Sequence, residues 1–332
     1  MTSDSLFELI SPHGFNSAHT AKVLSGIYRK RVRDISQITG IPKALKELLL
    51  SGFSTGIYPP VSFEQSVDKT VKYLFRNASG LEFETVYLPD NKRKTVCVST
   101  QSGCRMGCPF CLTGRYGFKG NLSAGDIINQ VISLPHSEEV THVVFMGMGE
   151  PLDNIEEVLK TCKILISDWG LSISCRNITV STVGILPGII EFLDRSDCNL
   201  TLSLYSPFPE ERNLVVPIGN KYPAQEIIDI MKSYPLVKKR RLSVAYVMIM
   251  YINDSDSHLE ALKELLRDSP VRVNLLHYHR VNDDHNCSSS ENRMRFFKHE
   301  LVISGISASI RRSRGEDISA ACGLLASGLV KK

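Results

Sequence analysis

The chain has 332 residues, 42% of them hydrophobic and 22% charged, with a formal net charge of +4 and nine cysteines, which is a globular composition. No apolar run approaches the roughly 20 residues needed to cross a bilayer, and Met1-Thr2-Ser3-Asp4-Ser5 lacks the basic and apolar regions of an export signal, so a helical membrane protein is excluded and the cytoplasm is expected. Cysteines in this number without an export signal serve as ligands or nucleophiles rather than as a disulfide framework.

In chain order, residues 17–31 and 42–50 carry apolar side chains at helical spacing, and 1–68 reads as a small helical unit. Residues 70–75 and 82–88 alternate loosely around Asn77-Ala78-Ser79-Gly80, the signal of a β-hairpin, which makes 69–90 a linker. From residue 96 the pattern changes. Apolar stretches at 96–100, 142–148, 176–182, 199–206, 242–250 and 272–278 alternate with helical segments at 124–134, 155–169, 185–194, 224–234, 257–266 and 290–304. Six such βα units predict an α/β fold, a partial (β/α)6 barrel over residues 91–332 that is open on one side, with its chemistry at the C-terminal ends of the strands. A further strand is expected at 307–312, followed by a short helix through Ala320-Ala321-Cys322-Gly323.

The most informative segment follows the first barrel strand. In Gly103-Cys104-Arg105-Met106-Gly107-Cys108-Pro109-Phe110-Cys111, three thiols stand at CxxxCxxC spacing on one tight loop. Three thiolates so placed bind three irons of a [4Fe-4S] cube and leave the fourth open to a small molecule. A structural zinc site would need a fourth Cys or His, and the nearest histidines, His19 and His136, are far away in sequence. The segment resembles the radical S-adenosylmethionine (SAM) superfamily, which implies that the open iron chelates SAM and that an electron from the cluster cleaves it to a 5′-deoxyadenosyl radical. Of the remaining cysteines, Cys162, Cys175 and Cys198 read as core residues and Cys287 as an exposed loop thiol.

Further motifs narrow the likeness. Arg314-Gly315-Glu316-Asp317-Ile318-Ser319-Ala320-Ala321-Cys322-Gly323, together with Cys97 seven residues before Cys104, resembles the RlmN/Cfr family of radical-SAM RNA methyltransferases over nearly the whole chain. The resemblance implies methylation of an adenine ring carbon. Such a carbon is electrophilic, so a methyl cation cannot be delivered to it directly. One SAM therefore methylates Cys322, a second yields the radical that activates this methyl, and Cys97 resolves the RNA adduct by forming a disulfide with Cys322. The resemblance also implies that Glu84 accepts the ring proton, and that Gly149 and Glu150, Ser181, and Ser203-Leu204 line the SAM site. Two further positions implied to bind SAM depart from the family: Tyr205 stands where histidine is usual and His279 where asparagine is usual, and both can still donate hydrogen bonds to the cofactor, while a divergent paralogue with another substrate is an alternative. Because Cys322 must ionise, its pKa should be depressed, with Arg311, Arg312 or Arg314 as the cause.

Three basic runs point to a polyanionic partner: Lys22, Arg29, Lys30, Arg31 and Arg33 around Tyr28; Lys238 to Arg241; and Arg311, Arg312 and Arg314. The expected substrate is an adenosine of 23S rRNA, methylated at carbon 2, with tRNA as a second substrate and a Cfr-type reaction at carbon 8 as the alternative. The N-terminal unit would grip the RNA while the base is flipped out. An electron donor such as flavodoxin or ferredoxin is implied, and nothing in the chain demands a second copy. An iron-sulfur RNA-binding protein without catalysis is the rival of another class.

Overall fold

The computed structural model describes residues 1–280 and 285–326, with Lys238 by its backbone alone. The last six residues of the expected barrel region lie outside the described residues. The N-terminal unit contains α1 (Ser3–Ile10), α2 (Ser17–Tyr28) and α3 (Lys43–Gly52). Helix α2 starts at a reciprocal cap, in which the Asn16 side chain accepts from the Ala18 and His19 N–H groups while His19 Nδ1 accepts from the Asn16 N–H. Helix α1 was not expected, because eight residues offer only Leu6 and Ile10 as a buried apolar pair.

Strands β1 (Ser62–Gln65), β2 (Val71–Arg76), β3 (Glu82–Pro89) and β4 (Lys94–Cys97) form an antiparallel meander, and β5 (Gln101–Ser102) pairs with β6 (Gly120–Asn121) on either side of the short helix α4 (Leu112–Tyr116). The chain then alternates: α5 (Ala124–Ile132), β7 (His142–Phe145), α6 (Ile155–Ile166), β8 (Ile178–Thr182), α7 (Leu186–Arg195), β9 (Asn199–Ser203), α8 (Pro209–Val215), α9 (Ala224–Ser233), β10 (Leu242–Met248), α10 (Asp256–Leu265), β11 (Arg272–His277), α11 (Glu291–Ile303) and β12 (Ala308–Ile310). One ten-stranded sheet runs β1-β2-β3-β4-β7-β8-β9-β10-β11-β12, parallel from β4 onward. The six expected barrel strands, the helices between them and the added strand at 307–312 are present, and the hairpin strands β2 and β3 extend the same sheet.

Alternation divides the sheet into two faces. Val143, Phe145, Val180, Leu202, Val244 and Leu275 are each no more than 1% exposed and form the hydrophobic core on one face. Following the parallel register, Cys97, Val144 and Thr179 align on the other face, and Ser203, Ala245, Asn274 and Ser309 form a second row there. Small polar side chains on this inner face leave room for ligands, whereas large apolar ones would have filled it.

The N-terminal unit docks through groups that the sequence had suggested for RNA. Tyr28 is buried beside Trp169, Arg31 donates to the Ser137 carbonyl at 3.0 Å and pairs with Glu138 at 3.6 Å, and Arg29 donates to Ser172 at 2.9 Å. Arg240 is also internal, donating to the Leu193 and Ser196 carbonyls. Sequence clustering alone did not separate these structural cations from those that face an open surface.

Candidate active site

Beyond Cys97 the chain enters the three-cysteine loop. Gly103 has φ +76°, and a Cβ there would lie 1.7 Å from the Gly117 carbonyl oxygen, so only glycine lets the loop close. Burial first, with the Cys111 thiol among the further causes, pushes Cys104 and Cys108 up to about 12, so the three sulfurs share one neighbourhood. Thiols in this setting are poor free acids, but a cationic centre would offset the burial and hold them as thiolates. Among the described residues, no three His, Cys, Asp or Glu side chains are arranged to hold a single metal ion. A cube requires no such convergence, since each thiolate binds its own corner iron. Arg212 supplies a second mark of fit. It is fully buried, donates from Nη2 to the Val183 carbonyl at 2.6 Å, has no partner for Nε or Nη1, and lies within electrostatic reach of Cys108. A buried cation with orphaned donors is a counterpart for the net negative charge of a thiolate-bound cluster. In the sequence Arg212 follows Glu210 and Glu211, and nothing there marks it as buried.

The C-terminal segment brings Cys322 over this loop. Leu112 N–H donates to the Gly323 carbonyl at 2.9 Å, the Thr113 hydroxyl donates to the Leu325 carbonyl at 3.1 Å, and Leu112, Ala321 and Leu324 form a small apolar cluster. Asp317 accepts from the Ser66 hydroxyl at 2.6 Å and the Val67 N–H at 3.2 Å, pinning the other side of the segment. Cys322 is exposed, with protein atoms close around its thiol. Burial raises its thiol, and so does Cys111; Cys97 is raised by burial and then by Cys322. The three sulfurs of Cys111, Cys322 and Cys97 therefore follow one another in space. The expected depression of the Cys322 pKa is corrected: Arg314 instead donates to the Pro89 carbonyl and pairs with Asp90 at 3.7 Å, and Arg311 Nε donates to Asn274 Oδ1 at 3.1 Å.

Glu84 is 3% exposed, not the solvent-facing strand residue that its isolation in the sequence would suggest. Register explains its place: Cys97 pairs with Val86 on β3, and Glu84 is two residues farther along the same face. Its Oε2 accepts from the Ala326 N–H at 2.7 Å, and its Oε1 lies 3.7 Å from the buried Lys72 Nζ, which is also 3.7 Å from Glu64. Burial pushes the carboxyl up while Lys72 opposes it.

At the strand ends, Gly149 has φ +98°, and a Cβ there would lie 2.6 Å from Gln101 Cβ. Glu150 is buried; its carboxylate accepts from the Leu152 and Val183 N–H groups at 3.0 Å each, and burial raises it to about 7. The Ser181 and Ser203 hydroxyls meet at 3.4 Å, and Leu204 is buried with its N–H on the Ala245 carbonyl. Tyr205 takes a left-handed φ of 66° and stacks on Phe110 of the cysteine loop, 5.8 Å between centroids.

Comparison with known proteins agrees with this geometry. The Radical SAM superfamily model matches residues 98–266. A probable dual-specificity RNA methyltransferase RlmN of Parabacteroides distasonis is 42% identical over 98% of this chain and 95% of its own length. The chain belongs to the RlmN family of the radical SAM superfamily. Membership implies a [4Fe-4S] cluster and SAM as the cofactors. A dual-specificity RNA methyltransferase RlmN of Desulfotalea psychrophila is 36% identical over 98% of this chain and 93% of its own. The crystal structure of a radical SAM methyltransferase from Sphaerobacter thermophilus superposes with a TM-score of 0.89 at 36% identity, covering 98% of this chain and 97% of that one.

His279 shows what one departure from the RlmN pattern does here. It is buried, with Nδ1 on Glu316 Oε1 at 2.5 Å and Nε2 on the Ser313 hydroxyl at 3.0 Å, so both ring nitrogens engage the segment that carries Cys322. Replacing His279 with alanine removes both bonds, and in the cluster-loaded protein Cys322 should be alkylated by iodoacetamide about tenfold faster relative to Cys287, the equivalent of ~1.4 kcal/mol of lost order. An unchanged ratio by mass spectrometry would show that the segment does not depend on His279.

Proposed function

We propose that the protein methylates carbon 2 of an adenosine in 23S rRNA, and of tRNA as a second substrate, through a methyl group carried on Cys322. The supporting observation is the succession Cys111, Cys322, Cys97, with Glu84 buried close by on the face that holds Cys97. The printed names of the RlmN relatives, with their dual specificity, support RNA as substrate. Cys104, Cys108 and Cys111 would hold a [4Fe-4S] cluster, which would supply the electron that cleaves SAM, with two SAM molecules used per turnover.

The chain's own residues do the rest. Cys322 loses its thiol proton and takes a methyl group. After this carbon has joined the adenine ring as a radical adduct, Glu84 accepts the ring proton and the odd electron of the adduct would return to the cluster, which leaves a closed-shell ring joined to Cys322 through its carbon-sulfur bond. The Cys97 thiolate then attacks the Cys322 sulfur: an S–S bond forms, the C–S bond breaks, and its electron pair goes to the carbon, which takes up a proton to become the product methyl. Both sulfurs end oxidised as a disulfide, to be reduced by a cellular thiol. Gly149, Glu150, Ser181, Ser203, Leu204 and Tyr205 shape the SAM site. Among the described residues no helix is long and apolar enough to cross a membrane, and nine free thiols suit a reducing cytoplasm. We place the protein there as a monomer served by a flavodoxin or ferredoxin.

The test is anaerobic, using reconstituted protein, methyl-labelled SAM and protein-free 23S rRNA, with the digested nucleosides identified by mass spectrometry. Labelled 2-methyladenosine is expected. Exclusive 8-methyladenosine would overturn the assignment of carbon 2, and no methylated adenosine at all would overturn the substrate.

A further inference from the structure

Two of the basic runs converge with Arg93, the middle residue of Lys92-Arg93-Lys94, on the inner face of the sheet. Alternation along β4, β7 and β10 puts Arg93, His142 and Arg241 on the face of Cys97 but at the N-terminal ends of the parallel strands. Arg93 precedes Cys97 by four residues, on the order of 13 Å of strand. Arg311, just past β12, reaches the same region, with its Nε on Asn274 Oδ1 at 3.1 Å. The three guanidiniums feel one another: Arg93 is lowered by burial, then by Arg311 and Arg241, and Arg311 by burial and then by Arg241.

This charge is uncompensated. Among the described residues none of the three arginines has a carboxylate within ion-pair distance; Asp90, which acts weakly on Arg93, is engaged by Arg314 at 3.7 Å. His142 is pushed down to about 4 by burial and by Arg93 and Arg241, so it is neutral at pH 7, with Nδ1 against the Thr141 hydroxyl at 2.8 Å. The nearby inner-face side chains are hydroxyls, Thr201 Oγ1 meeting Ser243 Oγ at 2.8 Å, and not acids. Arg93, Arg241 and Arg311 are exposed, and like charges gathered on one accessible surface repel one another and favour a small polyanion. Guanidinium forks match the oxygens of a phosphate in pairs, as ammonium groups do not.

We propose that Arg93, Arg241 and Arg311 form a phosphodiester site at the base of the barrel's inner face, where they hold a backbone phosphate beside the target adenosine while its base reaches Cys322. The inference rests on the RNA methyltransferase reading and adds the mode of substrate capture. It accounts for how a single extruded nucleotide is held, since the strand ends at the opposite side are taken by the cysteine loop and the Cys322 segment.

The test measures binding of a short adenosine-containing RNA across salt concentrations from about 50 to 300 mM, by cluster-loaded wild type, Arg241→Gln, Arg311→Gln and the double variant. Arg195→Gln, which neutralises an exposed arginine paired with Glu156 and Glu191, is the control. Each site variant should bind about five- to tenfold more weakly, and the slope of log K against log salt should fall by ~0.7 per arginine, the value for one phosphate of a single strand. Arg195→Gln should change neither. Wild-type affinity and slope in a double variant with normal melting and iron-sulfur absorbance would overturn the site. Calorimetry with inorganic pyrophosphate separates the two levels. If wild type binds no RNA, the substrate reading fails; pyrophosphate binding that is lost in the double variant then still supports an anion site, and no pyrophosphate binding removes it as well.

Discussion

Replacing Cys97 with alanine should leave RNA covalently attached to the protein, visible as a band that survives denaturation and disappears on RNase treatment. Cys322 is acted on by the Cys111 thiol and itself acts on the Cys97 thiol, and in the proposed reaction Cys111 is a cluster ligand. Only Cys97 is left to attack the Cys322 sulfur and break the carbon-sulfur bond. Without it, turnover stops one bond short of product. Cys322→Ala should abolish both the crosslink and methylation, by at least ~10³-fold, because no carrier remains for the methyl group. Release of free methylated RNA by Cys97→Ala at the wild-type rate would reject Cys97 as the resolving thiol.

The second large effect is expected at Lys72, a position without a motif. Lys72→Met leaves Glu84 buried with no countercharge, which should cost about 3–5 kcal/mol of stability at neutral pH. The sign follows from linkage. Burial already holds the Glu84 carboxyl above its ordinary value, and loss of Lys72 raises it further. The protonated acid tolerates burial, so the variant's deficit should shrink as pH falls through the raised value and grow as pH rises above it. Denaturation midpoints between about pH 5 and 8 would show this. A protonated Glu84 cannot accept the ring proton, so methylation should fall by ~10²-fold or more, with its rising limb moved to higher pH. Lys72→Arg should restore most of both properties, and Lys72→Met combined with Glu84→Gln should recover stability but not activity. A deficit independent of pH would mean that Lys72 acts through packing alone.

What the sequence disclosed depended on how local each signal is. The cysteine loop lies within nine consecutive residues, the Cys322 signature is one short segment, and the parallel strands place apolar side chains at every second position because one face is buried under helices. Strand β1 gave no such signal: all four of its residues are exposed at the sheet edge, so nothing forces alternation. Helix α8 was hidden by its Pro-Glu-Glu-Arg start. Relations across strands were the least visible. The Lys72–Glu84 pair is a diagonal across the hairpin, and Arg93, Arg241 and Arg311, before β4, before β10 and after β12, come within electrostatic reach only in the folded sheet. The expectation for Cys322 failed for the same reason, since arginines close to it in sequence are directed elsewhere by the backbone.

The segment that carries Cys322 has a bearing on how the protein comes to life. Its partners Ser66, Asp68, Glu84 and Thr113 were synthesised between 212 and 251 positions earlier. The entropy of closing so long a loop grows only logarithmically, but the receiving surfaces must exist first, and they comprise the hairpin, the cysteine loop and the sheet that orders both. The Cys322 thiol, the methyl carrier of the proposed reaction, is therefore seated last. A chain still on the ribosome, or one delayed in folding, holds its iron ligands without the thiol above them, and methyl transfer begins only when folding is complete.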